Sequence, residues 1–457
     1  MYLDYSTLST DTIVAVATPP GEGGIAIIRL SGNKAISTAT HLFSKPISHL
    51  PSHTMHYGKF LDRLGRTIDT GLLCIMRSPN SYTGEEVVEL HCHGNTLIAE
   101  TILMRAIELG ARLAQPGEFT FRAFKNGKMD LAQAESVQTL ISAKSTLAVE
   151  AAQRQLQGQL SNHINAFKEE ILQITALIEA WIDYPEENLD LLTLQSIESI
   201  ITTIRNKIQH LIDRFNDGER LFTGYRICLV GSPNVGKSSL MNTLLKKDRV
   251  IVTDIAGTTR DLIEEDFMLG SLYCKLIDTA GLRETEDRIE QAGIIKTKEV
   301  LSTADLILFI LDASREVSQE EKNILSKLPM SSTLIVWNKI DLVDLSITPP
   351  DMSENTIPIS VMERLHIDTL QIAMQKKLQK NLPVKDEIVI TKKRHMHALQ
   401  KVISALERVQ GGLTTNQSPE LIASDLRESL EQLNTFSGGN VSEEILANIF
   451  STFCVGK

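Results

Sequence analysis

The sequence predicts a multidomain protein of the α/β plus α class, in which an N-terminal α+β domain precedes a helical domain that is interrupted by an α/β domain. Its 457 residues exceed what one ordinary hydrophobic core organises. The spacing of apolar residues also changes along the chain, from strand-like to helical and then to strands alternating with helices. Such alternation is typical of a mostly parallel sheet with helices on both faces.

The N-terminal domain is predicted to span residues 1–124. Strand-like runs there (TIVAVAT, GIAIIRL, GLLCIMR and EVVELHCH) alternate with turn residues and one helical stretch, NTLIAETILMRAIELGA. From 131 to 183 the chain has no proline and a single glycine, and apolar residues recur at helical spacing. This pattern stops at Pro185, resumes in LLTLQSIESIITTIRNKIQHLIDRF and returns after Pro383, so we expect long amphipathic helices in both blocks.

The two helical blocks each carry an apolar stripe but no core of their own, so packing one block against the other would bury both stripes. We therefore predict a discontinuous helical domain, 125–220 and 385–457, with the α/β domain inserted at 221–384. The expected strands of the insert are RICLVG, YCKLIDTAG, DLILFILDA, TLIVWNKID and NTIPIS.

Composition narrows the class of protein. Hydrophobic residues make up 42% and charged residues 23% of the chain, which is typical of a soluble globular protein. No apolar run approaches the roughly 18–20 residues that cross a bilayer, and the start lacks a signal-peptide pattern. Five scattered cysteines favour a reducing compartment, so we expect a cytoplasmic protein without membrane association. The net charge of −11 neither establishes nor excludes an RNA partner.

A phosphate-binding loop opens the inserted domain. GSPNVGKSS fits the P-loop pattern through Gly231, Gly236, Lys237 and Ser238, between a predicted strand and a predicted helix. The glycines allow backbone N–H groups to approach phosphate oxygens, Lys237 supplies a positive charge, and Ser238 offers a hydroxyl to Mg²⁺.

Three further motifs follow the P-loop, and their order along the chain, TDIAGTTRD, DTAG and NKID, is that of guanine-nucleotide-binding domains. DTAG places Asp278 at a strand end near the metal and the N–H of Gly281 near a γ-phosphate. TDIAGTTRD supplies Thr259 as a second hydroxyl for Mg²⁺. In NKID, Asp341 can accept two N–H bonds from a guanine edge, which adenine does not offer. The sequence therefore predicts GTP as the nucleotide.

One part of the expected GTPase chemistry is missing. Ras-like GTPases orient the attacking water with a glutamine after the DTAG-type motif, and here that position is Leu282. Among the acids of RETEDRIEQAG we choose Glu290 as the catalytic group, with Glu284, Glu286 and Asp287 as the nearby alternatives.

HCHGN contains residue types that bind metals, but it offers three candidate ligands that alternate between strand faces, without a second ligand pair elsewhere. We interpret His91, Cys92 and His93 instead as a strand end near a ligand pocket.

The sequence as a whole resembles the MnmE (TrmE) family of tRNA-modification GTPases. The resemblance spans the chain and is carried by TPPGEGGIAIIRLSG, SYTGEEVVELHCHGN, PGEFTFRAF, KMDLAQAE, NVGKSSLMN, TDIAGTTRD, DTAGLRET and the final FCVGK. It implies a folate-binding N-terminal domain, a helical domain and an inserted GTPase domain. It also implies a homodimer that works with a flavin-containing MnmG (GidA) partner. Together they build a carboxymethylaminomethyl or aminomethyl group on C5 of the wobble uridine of certain tRNAs, using 5,10-methylene-tetrahydrofolate or a related folate.

The resemblance also implies roles for individual residues. Two GTPase domains pair across a K⁺ ion, whose ligands fall on Asn234, Thr253, Ile255 and Thr258. Mg²⁺ falls on Ser238 and Thr259, the catalytic roles on Glu290 and Cys454, and the folate contacts on Arg29, Glu89, Lys128 and Lys457. The GTP-binding residues are Asn234, Val235, Gly236, Lys237, Ser238, Ser239, Thr253, Asp254, Ile255, Ala256, Gly257, Thr258, Thr259, Asp278, Thr279, Ala280, Gly281, Asn338, Lys339, Asp341 and Ser360.

Two segments raise questions of their own. The base-contacting loop departs from the family pattern, since it reads Ser360-Val361-Met362 followed by ERLHID, and we expect guanine binding through backbone contacts. The terminal TFCVGK fits a prenylation box poorly, which leaves a frayed helix end or, as the resemblance implies, a tail delivered into the folate pocket of a dimer.

Two other functions compete with tRNA modification. A GTP-switched ribosome-assembly factor performs no covalent chemistry, but such proteins usually carry an RNA-binding module or a second GTPase domain. A folate enzyme with a vestigial GTPase domain does not require the intact set of nucleotide motifs seen here.

Overall fold

The computed structural model describes residues 11–184, 191–248, 264–278, 303–343, 355–379, 388–415 and 417–457. The chain forms two compact units, and each is described by itself. The larger unit comprises Met1–Gln138, Arg154–Arg205 and Ala398–Lys457, and the second comprises Thr139–Gln153 and Asn206–His397. The three-domain boundaries given above remain a prediction.

The secondary structure of the described residues is as follows. The strands are β1 (Ile13–Val16), β2 (Gly23–Ser31), β3 (Met55–Leu61), β4 (Thr67–Met76), β5 (Val87–Gly94), β6 (Arg112–Leu113), β7 (Tyr225–Val230), β8 (Glu264–Leu269), β9 (Leu272–Asp278), β10 (Leu306–Asp312), β11 (Thr333–Asn338) and β12 (Thr356–Pro358). The helices are α1 (Ala35–Leu42), α2 (Thr96–Glu108), α3 (Glu118–Lys125), α4 (Leu131–Ser142), α5 (Thr146–Leu156), α6 (Gln159–Asp183), α7 (Leu191–Asp213), α8 (Phe215–Thr223), α9 (Lys237–Asp248), α10 (Gln319–Leu325), α11 (Ile367–Gln379), α12 (Lys393–Thr414), α13 (Pro419–Ser437) and α14 (Glu443–Ser451).

The larger unit contains a six-stranded sheet of order β3-β4-β5-β2-β1-β6, antiparallel except for the β1–β6 pair. The helices α1 and α2 share its hydrophobic core, in which Ile28, Leu73 and Ile102 are fully buried. The strand β3 was not among the predicted runs, because MHYGKFL lacks a β-branched residue. Its Gly58 is required by packing, since a Cβ there would lie 2.3 Å from a ring carbon of Phe43.

Helices from both helical blocks pack together in the larger unit. The buried residues Ile164, Phe167, Ile171 and Ile178 line one face of α6 at helical spacing, and α13 packs along this helix. The single glycine that the sequence showed in this region, Gly158, separates α5 from α6 with a positive φ of 84°. The apolar face of α6 is therefore buried in contact with a helix of the C-terminal block.

A second apolar cluster in this unit joins distant parts of the chain. Phe121 of α3 and Leu131 of α4 pack against Phe450 and Phe453 at the C-terminal end. The rings of Phe121 and Phe450 meet edge to face, with centroids 5.3 Å apart. The last helix is therefore part of a core that begins at residue 121.

The second unit contains a six-stranded sheet of order β12-β11-β10-β7-β9-β8. All neighbours are parallel except β8 and β9, which are antiparallel. One face packs against α9 and α11, and the other carries the cluster that includes α10. The predicted α/β plus α class with a mostly parallel sheet is confirmed. The edge strand β8 was not predicted, because EEDFML begins with three acids.

Among the described residues, no helix combines the length and apolar character needed to cross a membrane.

Candidate functional site

The nucleotide motifs meet at one edge of the second unit's sheet. The P-loop follows β7, and the strands β9, β10 and β11 end at Asp278, Asp312 and Asn338. Because parallel strands carry their carboxyl ends to the same edge, these residues lie together in the position where open α/β sheets bind ligands.

The P-loop is held by a buried amide. Asn338 is 3% exposed, and its Nδ2 donates to the carbonyl of Val235 over 2.8 Å. Its Oδ1 accepts from the N–H of Val361 over 3.2 Å, so the same side chain connects the P-loop to the predicted base-contacting loop. A Cβ on Gly236, whose φ is 101°, would lie 2.3 Å from Asn338 Nδ2. Glycine is therefore required at this position.

Lys237 and Ser238 begin α9 at the open side of the loop. The ammonium of Lys237 donates to the carbonyls of Gly231 and Ser232 over 2.9 and 2.8 Å, and the residue is buried. The hydroxyl of Ser238 lies 3.5 Å from Oδ2 of the buried Asp278. A fixed positive charge thus lies next to a hydroxyl and a carboxylate, which are the ligand types that Mg²⁺ prefers.

The NKID segment forms a strained turn beside the loop. Lys339 has a positive φ of 67°, and its ammonium donates to Asp312 over 2.6 Å. Burial would raise the pKa of Asp312, but hydrogen bonds from Lys339 and Ser314 hold it below its usual value. Asp341 is exposed in the short turn that follows, where a ligand can reach its carboxylate.

The unusual loop after β12 is a closed turn. Ser360 is fully buried and pairs with Leu365 through two backbone hydrogen bonds of 3.2 and 2.9 Å. The N–H of Glu363 donates to the Ser360 hydroxyl over 3.1 Å, and Arg364 has a positive φ of 55°. The sequence ERLHID therefore closes the turn although it contains no glycine.

Several predicted site residues lie outside the described residues. These are the switch-segment residues Thr253, Asp254, Ile255, Ala256, Gly257, Thr258 and Thr259, together with Thr279, Ala280, Gly281 and Glu290. Their roles in K⁺, Mg²⁺ and GTP binding and in catalysis remain predictions.

A second polar cluster lies in the larger unit. Arg29 on β2 faces Glu89 on β5 in the strand register, and their side chains form an ion pair of 2.8 Å. Glu89 also contacts His91 over 3.3 Å. The guanidinium of Arg29 lies 5.9 and 5.8 Å from the ring centroids of Tyr82 and Phe119. Sequence reasoning missed both rings, although each lies in a motif that carried the resemblance.

The C-terminal tail ends in this cluster. Arg29 donates to the carbonyl of Gly456 over 3.2 Å, and the N–H of Phe119 donates to the carbonyl of Lys457 over 3.2 Å. Gly456 is buried with a φ of 94°, and a Cβ there would lie 2.6 Å from the carbonyl oxygen of Val16. These contacts do not fit a frayed end.

The two functional groups of the tail differ in exposure. Burial first, and then the charge of Arg29, lower the pKa of Lys457, while Glu89 and Cys454 oppose that shift. The Cys454 side chain is exposed, and the backbone carbonyl of Cys454 accepts from the N–H of Gly117 over 3.4 Å. The tail therefore brings Lys457 close to the Arg29–Glu89 pair and to Cys454, and the folate and catalytic roles of these residues remain predictions.

Lys128, the fourth predicted folate residue, is exposed. Its ammonium donates to the carbonyl of Pro79 over 3.0 Å, on the segment that also carries Tyr82. The structure gives Lys128 this loop contact rather than a contact with the Arg29–Glu89 pair.

The side chains of His91, Cys92 and His93 in HCHGN have three different environments. His91 turns towards Glu89, Cys92 is buried, and His93 is exposed and pairs with Asp69 over 2.8 Å. Within the part of the chain that the structure describes, no group of three or more His, Cys, Asp or Glu side chains is placed to hold a metal ion.

We expect Gly236→Ala to weaken GTP binding by at least about tenfold, because the added methyl meets the Asn338 amide and the backbone is strained at positive φ. Equilibrium titration with a fluorescent GTP analogue measures this. The matched control is Gly411→Ala in α12, where a Cβ meets nothing within 4 Å. Equal affinities for the two variants would show that the P-loop tolerates a side chain at Gly236.

Taken together, the parallel sheet, the P-loop and the NKID turn define a P-loop domain of the GTPase class. The protein-family model "GTP-binding protein TrmE N-terminus" matches residues 12–128. The protein-family model "MnmE helical domain" matches residues 131–454. The chain therefore belongs to the MnmE family of tRNA modification GTPases.

Relatives match over nearly the whole chain, and each is named tRNA modification GTPase MnmE. The protein from Protochlamydia amoebophila (strain UWE25) is 45% identical, with 98% of both chains covered. The protein from Syntrophotalea carbinolica is 42% identical and covers 98% of this chain and 100% of its own. Among solved structures, a point variant of Aquifex aeolicus Era bound to GDP·AlF₄⁻ is 27% identical and covers 39% of this chain and 66% of its own. Its TM-score of 0.25 is too low for a comparison of folds.

Proposed function

We propose that this chain couples GTP hydrolysis in its inserted domain to a one-carbon transfer in its N-terminal domain during tRNA wobble-uridine modification. Membership of the family supports the general statement that the chain is a GTP-hydrolysing enzyme of tRNA modification. The observation that carries the finer proposal is the docking of the tail, which brings Lys457 and Cys454 to the Arg29–Glu89 pair.

In the GTPase domain, each group has a distinct task. Lys237 provides positive charge to the β- and γ-phosphates, and the P-loop N–H groups surround them. Ser238 and the predicted Thr259 would hold Mg²⁺. The hydroxyl of Ser238 lies within hydrogen-bonding distance of the Asp278 carboxylate, so the described part of this site offers the oxygen ligands that the ion prefers. Mg²⁺ there supplies positive charge against the phosphate oxygens.

A monovalent cation is also part of the proposal. Asn234 has a positive φ of 64° and is exposed at the P-loop, which suits an oxygen ligand at the edge of the phosphate site. With Thr253, Ile255 and Thr258 it would hold K⁺, whose charge stabilises the transition state where other GTPases insert an arginine.

In the N-terminal domain, the residues present fit a folate. A folate carries carboxylates, a ring system and hydrogen-bonding ring atoms. Arg29 and Lys457 offer cationic donors, Glu89 offers an acceptor, and the rings of Tyr82 and Phe119 lie beside Arg29. Bound 5,10-methylene-tetrahydrofolate supplies the one-carbon unit. With a folate bound, the exposed thiol of Cys454 would serve as a nucleophile or proton carrier.

The proposal extends to partners and location. We infer a homodimer held by the N-terminal domains, a flavin-containing MnmG (GidA) partner that shares the reaction, and a cytoplasmic enzyme that acts on tRNA.

Mass analysis of tRNA nucleosides tests the function. A strain deleted for the chromosomal gene is complemented with this chain, and the wobble uridine is compared with that of the uncomplemented strain. We expect the C5-substituted uridine to return. Its absence from both strains, together with an accumulation of ribosomal precursor particles in the deletion strain, would favour the ribosome-assembly alternative.

We expect Asp341→Asn to weaken GTP binding and relax selectivity towards xanthine nucleotides, because the carboxylate and the guanine N–H groups are a donor–acceptor match. The expected loss is about tenfold or more in GTP affinity. Competition of GTP, ATP and XTP against a fluorescent GDP measures it. Wild-type protein that binds ATP as tightly as GTP would contradict the assignment of Asp341.

A further inference from the structure

The P-loop has a contact that none of the nucleotide motifs accounts for. Ser232, the second residue of the loop, donates its hydroxyl to Oε1 of Glu321 over 2.8 Å. Glu321 belongs to α10, which follows β10 and lies far from the P-loop in the sequence. Its side chain is 1% exposed, whereas Ser232 is half-buried, so this hydrogen bond is partly shielded from solvent.

The Glu321 carboxylate is fixed from several directions. Arg315 donates to both oxygens, over 2.6 and 3.0 Å, in a bidentate ion pair. The N–H of Ser318 donates to Oε2 over 2.9 Å, as part of a capping box that begins α10. Because these bonds hold the carboxylate in place, its hydrogen bond to Ser232 fixes the position of that residue in the P-loop.

Ser232 is also joined to the phosphate-binding lysine. Its carbonyl accepts from the ammonium of Lys237 over 2.8 Å, while its hydroxyl contacts Glu321. One residue of the loop therefore links the lysine to a buried carboxylate outside the loop. A change in the position of Ser232 alters the carbonyl that orients Lys237.

We propose that Glu321 is a positioning residue for GTP binding: it holds the Ser232 hydroxyl and thereby keeps the P-loop and Lys237 in the form that receives phosphates. The proposal rests on the proposed GTP site. A phosphate is negatively charged, and the Glu321 carboxylate is neutralised by Arg315, so the carboxylate acts through geometry while its charge remains paired.

The protonation state of Glu321 is consistent with this role. Burial would raise its pKa, but bonds from Arg315, Ser318 and Ser232 lower it from 4.5 to about 2. Because the pKa is lower in the folded protein, ionised Glu321 stabilises the folded state at pH values above 4.5, the pKa of the group in the unfolded chain. This stabilisation is lost as the pH falls from 4.5 towards about 2. The contact to Ser232 is therefore intact throughout the neutral and mildly acidic range.

A double-mutant cycle on nucleotide affinity tests the proposal. The variants are Ser232→Ala, Glu321→Gln and the double substitution in the full-length protein, titrated with a fluorescent GDP. We expect Ser232→Ala to weaken binding by about threefold to tenfold, since it removes a hydrogen bond to a charged group. The double variant is expected to bind as weakly as Glu321→Gln alone, because the two residues act through one contact.

Two controls distinguish positioning from loss of the fold and from loss of the site. Glu320→Gln changes the exposed neighbour of Glu321 and is expected to leave affinity and melting temperature unchanged. Lys237→Ala removes the phosphate-binding charge itself. If Lys237→Ala binds like the wild type, the proposed GTP site is wrong.

If Lys237→Ala loses binding but Ser232→Ala retains it, only the positioning role of Glu321 is wrong. Additive losses in the cycle also contradict the role, since independent effects on affinity do not require the Ser232–Glu321 contact. The Ser232→Ala deficit is expected to stay constant between about pH 5 and 8, because Glu321 remains ionised there. A deficit that disappears within that range overturns the assignment.

Discussion

The Cys454→Ser variant is expected to hydrolyse GTP within about twofold of the wild-type rate and to produce no modified wobble uridine. The thiolate is the nucleophilic form of cysteine, and a hydroxyl is a far weaker nucleophile and acid at neutral pH. The tail is held by the carbonyl of Cys454, which accepts from Gly117, and by contacts of Gly456 and Lys457. Replacing the exposed thiol therefore leaves docking intact and removes only the reactive group.

The matched control is Val455→Ala, which shortens the neighbouring exposed side chain of the same tail. This variant is expected to modify tRNA normally. Nucleoside mass spectrometry and a phosphate-release assay give the two readouts. Normal modification by Cys454→Ser, or by a chain that lacks the last four residues, would show that the thiol has no part in the transfer.

Glu290→Ala is expected to lower K⁺-stimulated GTP hydrolysis by about two or more orders of magnitude, because a general base or water-orienting group contributes on that scale. Leu282 offers no hydrogen bond to water, so no glutamine compensates at the usual position. Nucleotide affinity is expected to stay nearly unchanged, since the substitution leaves the predicted phosphate- and base-binding residues Lys237 and Asp341 in place. Single-turnover hydrolysis in KCl and titration with fluorescent GDP separate the two effects.

Glu284→Ala, a change in a neighbouring acid of the same segment, serves as the control and is expected to keep most of the activity. Replacing KCl with NaCl is expected to abolish the stimulation in the wild type. The mechanism is wrong if Glu290→Ala hydrolyses GTP at the wild-type rate, or if Na⁺ serves as well as K⁺.

The parts of the fold that could be predicted are those indicated by the local spacing of apolar residues. The runs RICLVG and DLILFILDA, which become β7 and β10, are continuous apolar segments bounded by motif residues, so both their type and their order along the chain were apparent. The strand β8 was not apparent, because an edge strand tolerates acids on its outer side.

The candidate sites also contain residues that local motifs predict and contacts that local motifs do not predict. Lys237 and Asp341 were predicted because each belongs to a short motif whose spacing carries the chemistry. The bond from Ser232 to Glu321 was not, since it joins residues 89 positions apart and depends on the packing of α10 against the sheet. The contact of the C-terminal tail with Arg29 could be anticipated only from a resemblance, because no local pattern indicates what a terminal segment contacts.

The cluster formed by Phe121 and Leu131 with Phe450 and Phe453 has a consequence for how the protein is made. Translation delivers Phe121 and Leu131 long before Phe450 and Phe453. Until Phe450 and Phe453 have left the ribosome, this cluster cannot close, and the apolar residues that α3 and α4 contribute to it stay uncovered. Synthesis of α14 and of Phe453 is therefore the event that allows this cluster to close. A transcript that ends prematurely anywhere before α14 yields a chain that carries an open apolar surface, which is the kind that chaperones and proteases recognise.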